Sequence, residues 1–593
     1  MRLRFALAGT NFRFIDFKQD KNMFKKLHTQ LVAASLFLFG AAHLPAQLIQ
    51  TQPTTPQQEE FPRLVVVVSI DQFRGDYYDR FRKYFGNGGF VRLVSPGRYY
   101  ENCYYMHANT LTGPGHATML TGTYAHMNGI TGNDWFDDVK GENVYCVADP
   151  TAKFLTSTGV ADSAAGEDAA ASPRNLLAPT VGDVLEAATN GKSKTVSIST
   201  KDRAAILMGG RSCDIAVWWR SELGEYVSSD YYGTQQPQWL VDYNKTKPGD
   251  KYFKRAWELS LEPAAYEEMC TADDFPAEGM GGYTTRTFPH VIGEKSEKPD
   301  KEFYDNLDVS PYANELIVDA AIAAMHNGEV GKDAIPDLMT LSFSCNDLIG
   351  HNFGPDSWEV MDATLKTDKT IERLLSALDT EVGSGRWTLF LTADHGVANM
   401  PEVMKERHQD AERANMKEFR DGIEAKLSQI YGPLPDKQNY VLTINQPWIS
   451  LRQPPNQGNG NPDINKVVAD YLQTLPMIAF SSTTNDLISI PVNGDMLRQA
   501  LIYAYYPHRS GGVVFALKPY YYFSSGTGAT HGSPWRYDQH VPLFVCGKGI
   551  GPGRAPYPVA PPQIAPTISL MLQIPLPGKS EVPPLPGVLI NRM

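Results

Sequence analysis

The stretch Leu64-Val65-Val66-Val67-Val68-Ser69-Ile70-Asp71 is an unbroken run of apolar, mostly β-branched residues that ends in an acid. A continuous apolar run of this length predicts a strand that is buried on both faces, as in the middle of a parallel sheet. Runs of the same apolar character recur at 195–198, 338–343, 387–392 and 541–546. The sequence therefore predicts a sheet built from several buried strands.

Segments with helical patterns lie between these runs, at 181–188, 313–326, 357–378 and 402–430. Asp356 is the predicted N-cap of the third, and the fourth is predicted to be one long, mostly solvated helix. Alternating strands and helices predict an α/β fold with a mostly parallel central sheet flanked by helices. Ligands of such sheets bind at the carboxyl ends of the strands, where Asp71, Asp347 and Asp394 would lie.

Two stretches interrupt the alternation. The segment near 221–301 is rich in Tyr, Pro, Gly and charge, and the segment near 402–522 holds further helices and an Asn/Gly-rich loop. We expect both to be inserted cap segments of a single catalytic domain that spans 62–593.

The first 46 residues have the pattern of a Sec-type signal peptide, with Lys25 and Lys26 before the apolar run 31–42 and small residues after it. Met23 is a possible alternative start. The apolar run is short and is soon followed by Pro45, so we expect no stable membrane span after the leader is removed. The alternative is an N-terminal membrane anchor. The predicted location is periplasmic or secreted.

The charge of the chain makes nucleic acid an unexpected partner. The net charge is −12, and residues 1–46 contribute +5, so the remainder carries about −17 (−12 minus 5). An acidic chain without basic blocks lacks the positively charged surface that nucleic-acid binding requires.

The six cysteines are even in number, which permits disulfides in an exported protein, but six free buried thiols are equally compatible with the sequence. The sequence does not indicate the oligomeric state.

Candidate metal ligands are scattered along the chain. Asp347 and His351 are spaced i, i+4, so a helix would place both on one face. Asp394-His395 follows a predicted strand directly, and His531 lies in a Gly-rich loop. Each motif alone has an ordinary reading as a surface pair, a hydrogen-bonded turn or a structural loop. Together with Asp71 they supply six Asp and His ligands, which is the number that two zinc ions require at about three protein ligands each.

A candidate nucleophile precedes a Gly-Pro-Gly turn, in Thr110-Leu111-Thr112-Gly113-Pro114-Gly115. The Thr112 hydroxyl could lose its proton beside a metal and attack phosphorus. The alternative is an ordinary helix entrance with threonine as the N-cap.

The order Asp71, Thr112, Asn133, Lys201-x-Arg203, Asp347-x-x-x-His351, Asp394-His395 and His531 resembles the alkaline phosphatase superfamily. More narrowly, it resembles bacterial alkaline phosphatases of the PafA type, which use threonine as the nucleophile. The resemblance covers nearly the whole chain after the leader.

This resemblance implies two Zn²⁺ per chain, one held by Asp347, His351 and His531 and the other by Asp71, Asp394 and His395, with Thr112 bound to the second zinc as the nucleophile. It also implies three contacts with the phosphoryl oxygens, from Asn133, Lys201 and Arg203. The implied activity is hydrolysis of small phosphate monoesters through a phosphothreonine intermediate.

Other activities remain open. A phosphodiesterase or phosphonate-ester hydrolase of the same superfamily would share the zinc ligands but would generally lack the Lys-x-Arg pair. A sulfatase would need an Arg where His116 follows Gly115. A cofactor-independent phosphoglycerate mutase would suit a cytoplasmic, manganese-dependent protein. An alternative of another class is an exported, non-catalytic zinc-binding protein, whose mark would be a lost ligand or nucleophile.

Overall fold

The run Leu64–Ile70 forms the first strand of a central sheet, and all seven of its residues are buried. In this computed structural model, which describes residues 61–161, 171–455, 461–524 and 526–589, that strand lies between two parallel neighbours. The predicted leader, the alternative start at Met23 and the cleavage point after residue 46 lie outside the described residues. Part of the Asn/Gly-rich loop, 456–460, also lies outside them.

The elements are numbered in chain order within the described residues. The strands β1 to β21 are Leu64–Ile70, Arg98–Tyr104, Asp134–Asp137, Glu142–Tyr145, Phe154–Thr156, Gly159–Ala161, Thr195–Ser199, Ile215–Arg220, Glu225–Ser229, Ala256–Trp257, His290–Val291, Asp337–Phe343, Trp387–Thr392, Glu412–Ala414, Val441–Asn445, Trp448–Leu451, Ile478–Thr483, Val513–Leu517, Tyr521–Phe523, His540–Gly547 and Gly553–Val559. The helices α1 to α19 are Tyr77–Phe81, Phe90–Val94, Thr112–Thr121, Ala125–Asn128, Val181–Thr189, Asp202–Gly209, Gln238–Lys245, Pro263–Met269, Lys301–Asp308, Tyr312–His326, Cys345–Phe353, Trp358–Leu378, Pro401–Glu406, Met416–Tyr431, Ile464–Gln473, Thr484–Ser489, Met496–Tyr503, Arg536–Gln539 and Ile564–Leu572.

The central sheet has eleven strands in the order β21-β2-β20-β13-β1-β12-β7-β8-β9-β5-β6. Its middle, from β13 to β8, is parallel throughout. Strand β20 is antiparallel to both of its neighbours, and β9, β5 and β6 are antiparallel to theirs. The predicted α/β class is confirmed, and the predicted parallel sheet corresponds to this central part of a larger mixed sheet.

Helix α12 shows where local sequence signals mislead by one residue. The predicted N-cap was Asp356, but the Ser357 hydroxyl is the group that accepts the Val360 N–H, at 3.1 Å. The Asp356 carboxylate instead accepts from Asn399 and forms an ion pair with Arg407. The Asp356 carboxylate therefore bonds to side chains distant in the chain and does not cap the helix in the way that the local sequence pattern predicted.

The single long helix predicted over 402–430 is wrong. Helix α13 ends at Glu406, His408 takes a positive φ of 58°, and β14 follows. Asn415 then caps a new helix, α14, by accepting the N–H groups of Lys417 and Glu418. Helix α14 is mostly solvent-accessible, as expected, but it buries one face of residues spaced four apart that includes Phe419, Ile423 and Leu427.

The segment near 402–522 builds a second, four-stranded sheet in the order β15-β16-β18-β17. Helices α14 and α15 contribute to an apolar core beneath it, which includes Ile423, Val468 and Phe515. The hairpin between β15 and β16 reaches the candidate site described below.

The six cysteines are free thiols, all buried except the half-buried Cys270. Across the parts of the chain that the structure describes, no helix combines the length and apolar character that crossing a bilayer requires.

Candidate active site

Candidate ligands meet at one edge of the parallel strands. Asp71 follows β1 directly, Asp394 comes two residues after β13 ends, and Asp347 lies on α11, which begins two residues after β12. Because β13, β1 and β12 are adjacent and parallel, their carboxyl ends bring the three acids together. All three are buried. The predicted i, i+4 pair is confirmed as helical, since α11 carries both Asp347 and His351.

Asp347, His351 and His531 form a first donor cluster. Their donor atoms lie close enough to hold one metal ion, with Asp347 Oδ1 3.2 Å from His351 Nε2 and 3.5 Å from His531 Nε2. Each ring directs Nδ1 at a backbone carbonyl, His351 at Ala529 and His531 at Thr110, both at 2.8 Å. A carbonyl only accepts, so in the neutral form of each ring Nδ1 carries the hydrogen and Nε2 keeps its lone pair. The two Nε2 atoms face each other at 3.2 Å. A cation bound between them would remove the repulsion between their lone pairs.

Asp71, Asp394 and His395 form a second cluster. His395 Nε2 lies 3.4 Å from Asp71 Oδ1 and 3.4 Å from Asp394 Oδ2. Among the described residues none of these three buried atoms makes a hydrogen bond of good geometry, although Asp394 Oδ2 also lies 3.2 Å from His116 Nδ1. Buried polar atoms without a well-formed hydrogen bond are costly, and two carboxylate oxygens close to one histidine nitrogen are donors that a metal ion would satisfy. Among the described residues, the set at this position whose donor atoms all have metal-binding spacing is Asp71, Asp347 and His395, with Asp394 beside His395. The rings of His395 and His531 stack at 3.6 Å, so the two clusters adjoin.

The protonation of the second cluster is set by burial and by neighbouring charges. Burial lowers the pKa of His395 to about 3, against the opposing charge of Asp394, so the ring is a neutral ligand at neutral pH. Burial raises the pKa of Asp71, and the nearby Asp347 and Asp394 add to the effect. Buried carboxylates and imidazoles in sets of three are donors that suit a divalent metal ion.

Thr112 lies beside these clusters. It is the first residue of α3 and is only 1% exposed, and Leu111 rather than Thr112 occupies the N-cap position. Its hydroxyl oxygen lies 3.5 Å from Arg203 Nη2. Helix α3 approaches the Asp394 loop closely because residue 115 is glycine, where a Cβ would lie 2.4 Å from the Asp394 carbonyl oxygen.

Asn133 is held beside Thr112 by the backbone. Its side-chain oxygen accepts the N–H of Gly113 at 2.8 Å, which leaves the amide NH₂ as a donor. A cavity of about 190 Å³ opens at this point, lined by residues that include Asn133 and His531 and, from the β15–β16 hairpin, Asn445 and Gln446.

Lys201 and Arg203 enter the site from the end of β7 and the start of α6. The Lys201 ammonium bridges Asp71 Oδ2 at 2.6 Å and Asp347 Oδ2 at 2.5 Å. Burial alone would lower the pKa of Lys201, but the two carboxylates outweigh it and raise the pKa, so the side chain stays charged. Arg203 also lies 3.4 Å from the hydroxyl oxygen of Tyr145.

All the predicted site residues therefore lie in one place, but sequence reasoning missed Gln72 and favoured only helix packing or a surface position for His116. His116, buried on α3, directs Nδ1 at the Thr112 carbonyl at 2.8 Å and at Asp394 Oδ2 at 3.2 Å. Gln72 donates its side-chain amide to Asp347 Oδ1 at 2.7 Å. Neither has a motif of its own; the only signal is that each follows a predicted site residue closely in the chain.

Comparison with known proteins defines the class. The family model described as type I phosphodiesterase / nucleotide pyrophosphatase matches residues 65–536. The chain belongs to this family, within the alkaline phosphatase superfamily that its motifs resemble, and it is an enzyme.

Individual relatives match over almost their whole length. The chain is 32% identical to alkaline phosphatase PhoV of Synechococcus elongatus over 560 residues, covering 94% of this chain and 98% of that protein. It is also 32% identical to alkaline phosphatase PafA of Elizabethkingia meningoseptica, covering 89% and 94%. The crystal structure of wild-type PafA superimposes with a TM-score of 0.82 at 30% identity, covering 89% of this chain and 99% of the other.

Proposed function

We propose that the chain is a zinc-dependent alkaline phosphatase that hydrolyses phosphate monoesters through a covalent phosphothreonine at Thr112 and releases inorganic phosphate. The observation that carries the proposal is that Asp71 Oδ1 and Asp394 Oδ2 each lie 3.4 Å from His395 Nε2, and that none of these buried atoms makes a well-formed hydrogen bond among the described residues. They lie beside the Thr112 helix, whose His116 contacts Asp394 Oδ2 at 3.2 Å. The relatives named above support the phosphatase assignment.

Two zinc ions fit the donor clusters. One would be held by Asp347, His351 and His531, and the other by Asp71, Asp394 and His395. When bound, zinc would supply Lewis-acid stabilisation for charge on the entering and leaving oxygens. The backbone contacts of His351 and His531 fix both rings with Nε2 towards the ligand, so the chain presents these donors already oriented.

In the proposed reaction the Thr112 hydroxyl loses its proton, its oxygen forms a bond to phosphorus as the bond to the leaving oxygen breaks, and the leaving oxygen takes up a proton to depart as the alcohol. Water then cleaves the phosphothreonine, and Thr112 recovers its proton. Arg203, 3.5 Å from the nucleophile, is placed to donate to a non-bridging phosphoryl oxygen. The free NH₂ of Asn133 is placed to donate to another, because Gly113 occupies only its oxygen.

The position of Lys201 supports a phosphate monoester as the substrate. Its ammonium lies between Asp71 and Asp347, so its charge is held at the junction of the two clusters. A monoester carries one more negative charge on the transferred group than a diester does. Lys201 and Arg203 together therefore favour the more highly charged substrate.

A phosphodiesterase is the second candidate, because the family model that matches the chain is named for phosphodiesterases and nucleotide pyrophosphatases. The two candidates share the donor clusters and Thr112. They differ in how much the rate depends on Lys201 and Arg203.

We further propose that residues 62–593 form a single catalytic domain, with the segments near 221–301 and 402–522 as inserted caps, and that the protein is exported after loss of residues 1–46. Mass spectrometry of the exported protein should then find Gln47 at or near its N-terminus. An intact N-terminus on membrane-bound protein would support an anchor instead.

The activity is tested with aryl phosphate monoesters and diesters, using metal-free protein and protein reconstituted with zinc. The proposal expects no turnover without metal, recovery at two zinc ions per chain, and a strong preference for the monoester. Preference for the diester would support the second candidate, and full activity of the metal-free protein would contradict both.

A further inference from the structure

Arg509 reaches from the segment near 402–522 to the main body of the protein. It lies in the turn between α17 and β18. Its Nη1 donates to the carbonyl oxygens of Gly129 at 2.7 Å and Asn175 at 2.8 Å, and its guanidinium lies 4.8 Å from the ring centre of Trp135. In return, the Arg509 carbonyl accepts the hydroxyl of Thr131 at 3.0 Å.

These contacts fall on both sides of Asn133. Gly129 and Thr131 precede it, and the buried Trp135 follows it by two residues. The approach at Gly129 requires glycine, because its φ is +81° and a Cβ would lie 2.9 Å from Arg509 Nη1. The chain is thus shaped locally to receive this side chain, and the turn 129–135 is fixed at its two ends by one residue.

The direction of the Asn133 amide depends on that turn. Its backbone carbonyl accepts the Cys146 N–H at 2.8 Å, and its side-chain oxygen accepts the Gly113 N–H next to Thr112 at 2.8 Å. A displacement of the turn would move the amide NH₂ relative to Thr112. Such errors are expensive, since a misplacement of about 1 Å can cost roughly 100-fold in rate.

The guanidinium of Arg509 also lies 5.4 Å from the ring centre of Tyr506, in its own turn. Among the described residues no carboxylate forms an ion pair with it, and burial lowers its pKa. Its guanidinium instead donates hydrogen bonds to backbone carbonyl oxygens and lies over the face of Trp135. A planar guanidinium can make both kinds of contact at once.

We propose that Arg509 is a positioning residue that holds Asn133 in its phosphate-binding orientation, so that the inserted segment takes part in building the active site. This inference rests on the proposed function, in which Asn133 donates to a phosphoryl oxygen. Arg509 itself touches no reacting atom.

A double-mutant cycle tests it, with the full chain, zinc and p-nitrophenyl phosphate. Arg509→Ala should lower kcat/KM by about 10- to 100-fold in the wild-type background. With Asn133→Ala already present, the same change should cost less than about 3-fold, because the group to be positioned is gone. Arg452→Ala is the matched control, since Arg452 is an exposed arginine of the same inserted segment, and it should leave the rate unchanged.

The results of this cycle distinguish a positioning role of Arg509 from a purely structural one. Equal losses in both backgrounds, or no loss in either, would overturn the positioning role. If Arg509→Ala does not fold, Arg509→Lys is measured in the same cycle, since lysine keeps the charge but loses the stacked fork, and again the loss must shrink beside Asn133→Ala. A wild type that cleaves only diesters would refute the monoesterase proposal instead, and the cycle is then measured with bis-p-nitrophenyl phosphate.

Discussion

Arg203 Nη2 lies 3.5 Å from the hydroxyl oxygen of Thr112, although the two residues belong to different helices, α6 and α3. Arg203 is the second residue of its helix and Thr112 the first of its own, so both side chains are at helix starts that face the site. This pairing places a fixed positive charge next to the oxygen that we propose as the nucleophile.

Removing the two charges should change which ester is cleaved. A charge-assisted hydrogen bond contributes about 1.5–3 kcal/mol, which is roughly 10- to 150-fold in rate at 1.36 kcal/mol per tenfold. The double variant Lys201→Ala with Arg203→Ala should therefore lose most of the preference for monoesters, while diester cleavage falls much less. The measurement is kcat/KM for both substrate types. Equal losses on both would mean that these residues serve structure or metal placement.

Loss of a histidine ligand should remove one metal ion. His351→Ala or His531→Ala should lower the zinc content from two to about one per chain and abolish most turnover, because three donors hold each ion. His326→Ala is the control, since that exposed histidine pairs with Glu381 away from the site. Metal content is measured by atomic spectroscopy. A variant of His351 or His531 that keeps two zinc ions would contradict the assignment.

His116 should matter although it holds no metal in our proposal. It contacts Asp394 at 3.2 Å and also the Thr112 backbone, and removing such a support typically costs about 10- to 100-fold in metal affinity or activity. His116→Ala should weaken zinc binding by about that factor, measured by competition with a chelator. His126→Ala, a histidine ten positions on that pairs with Glu581, should leave zinc affinity unchanged. Equal effects of the two substitutions would show that His116 has no special role.

Glu278 should make stability depend on pH. It is 1% exposed, both of its carboxylate oxygens lack partners among the described residues, and burial, helped by Asp273, raises its pKa to about 9. The folded protein keeps a proton that the unfolded chain releases near its ordinary pKa of 4.5, so this contribution to stability is present below that pH. It is lost as pH rises towards 9.

Glu278→Gln removes this titration. The wild-type Tm should fall between pH 5 and pH 9 by more than the variant's, as measured by calorimetry. Glu262→Gln, on an exposed glutamate in the same 221–301 segment, is the control and should follow the wild type. Parallel pH profiles of the wild type and Glu278→Gln would contradict the protonated state of Glu278.

The sequence predicts the centre of this fold well because local and global signals agree there. The β1 run is apolar without interruption, so it can only be buried, and the acids that end such strands share an edge by the geometry of parallel sheets. The i, i+4 spacing of Asp347 and His351 likewise needs nothing beyond the helix itself. Each of these signals is contained in a short stretch of the chain, and the regular geometry of helix or parallel sheet then places the side chains.

Other features depend on partners far away in the chain. Asp356 fails as a cap because Asn399 and Arg407 compete for its carboxylate. His116 and Arg509 acquire their roles only when Asp394 and the turn 129–135 lie next to them in the folded chain.

The break after α13 is local but was still missed. It results from the positive φ of His408 and the cap at Asn415, neither of which is visible in the periodic pattern of charges.

The central claim is that Thr112 carries the phosphoryl group. The most direct measurement is acid quenching of the zinc-loaded enzyme during turnover, followed by peptide mass spectrometry. We predict one phosphoryl group on Thr112, and its absence from Thr112→Ala, which should retain its zinc but lose nearly all turnover. Phosphate found on Thr110, or a Thr112→Ala enzyme of near-normal rate, would contradict the account.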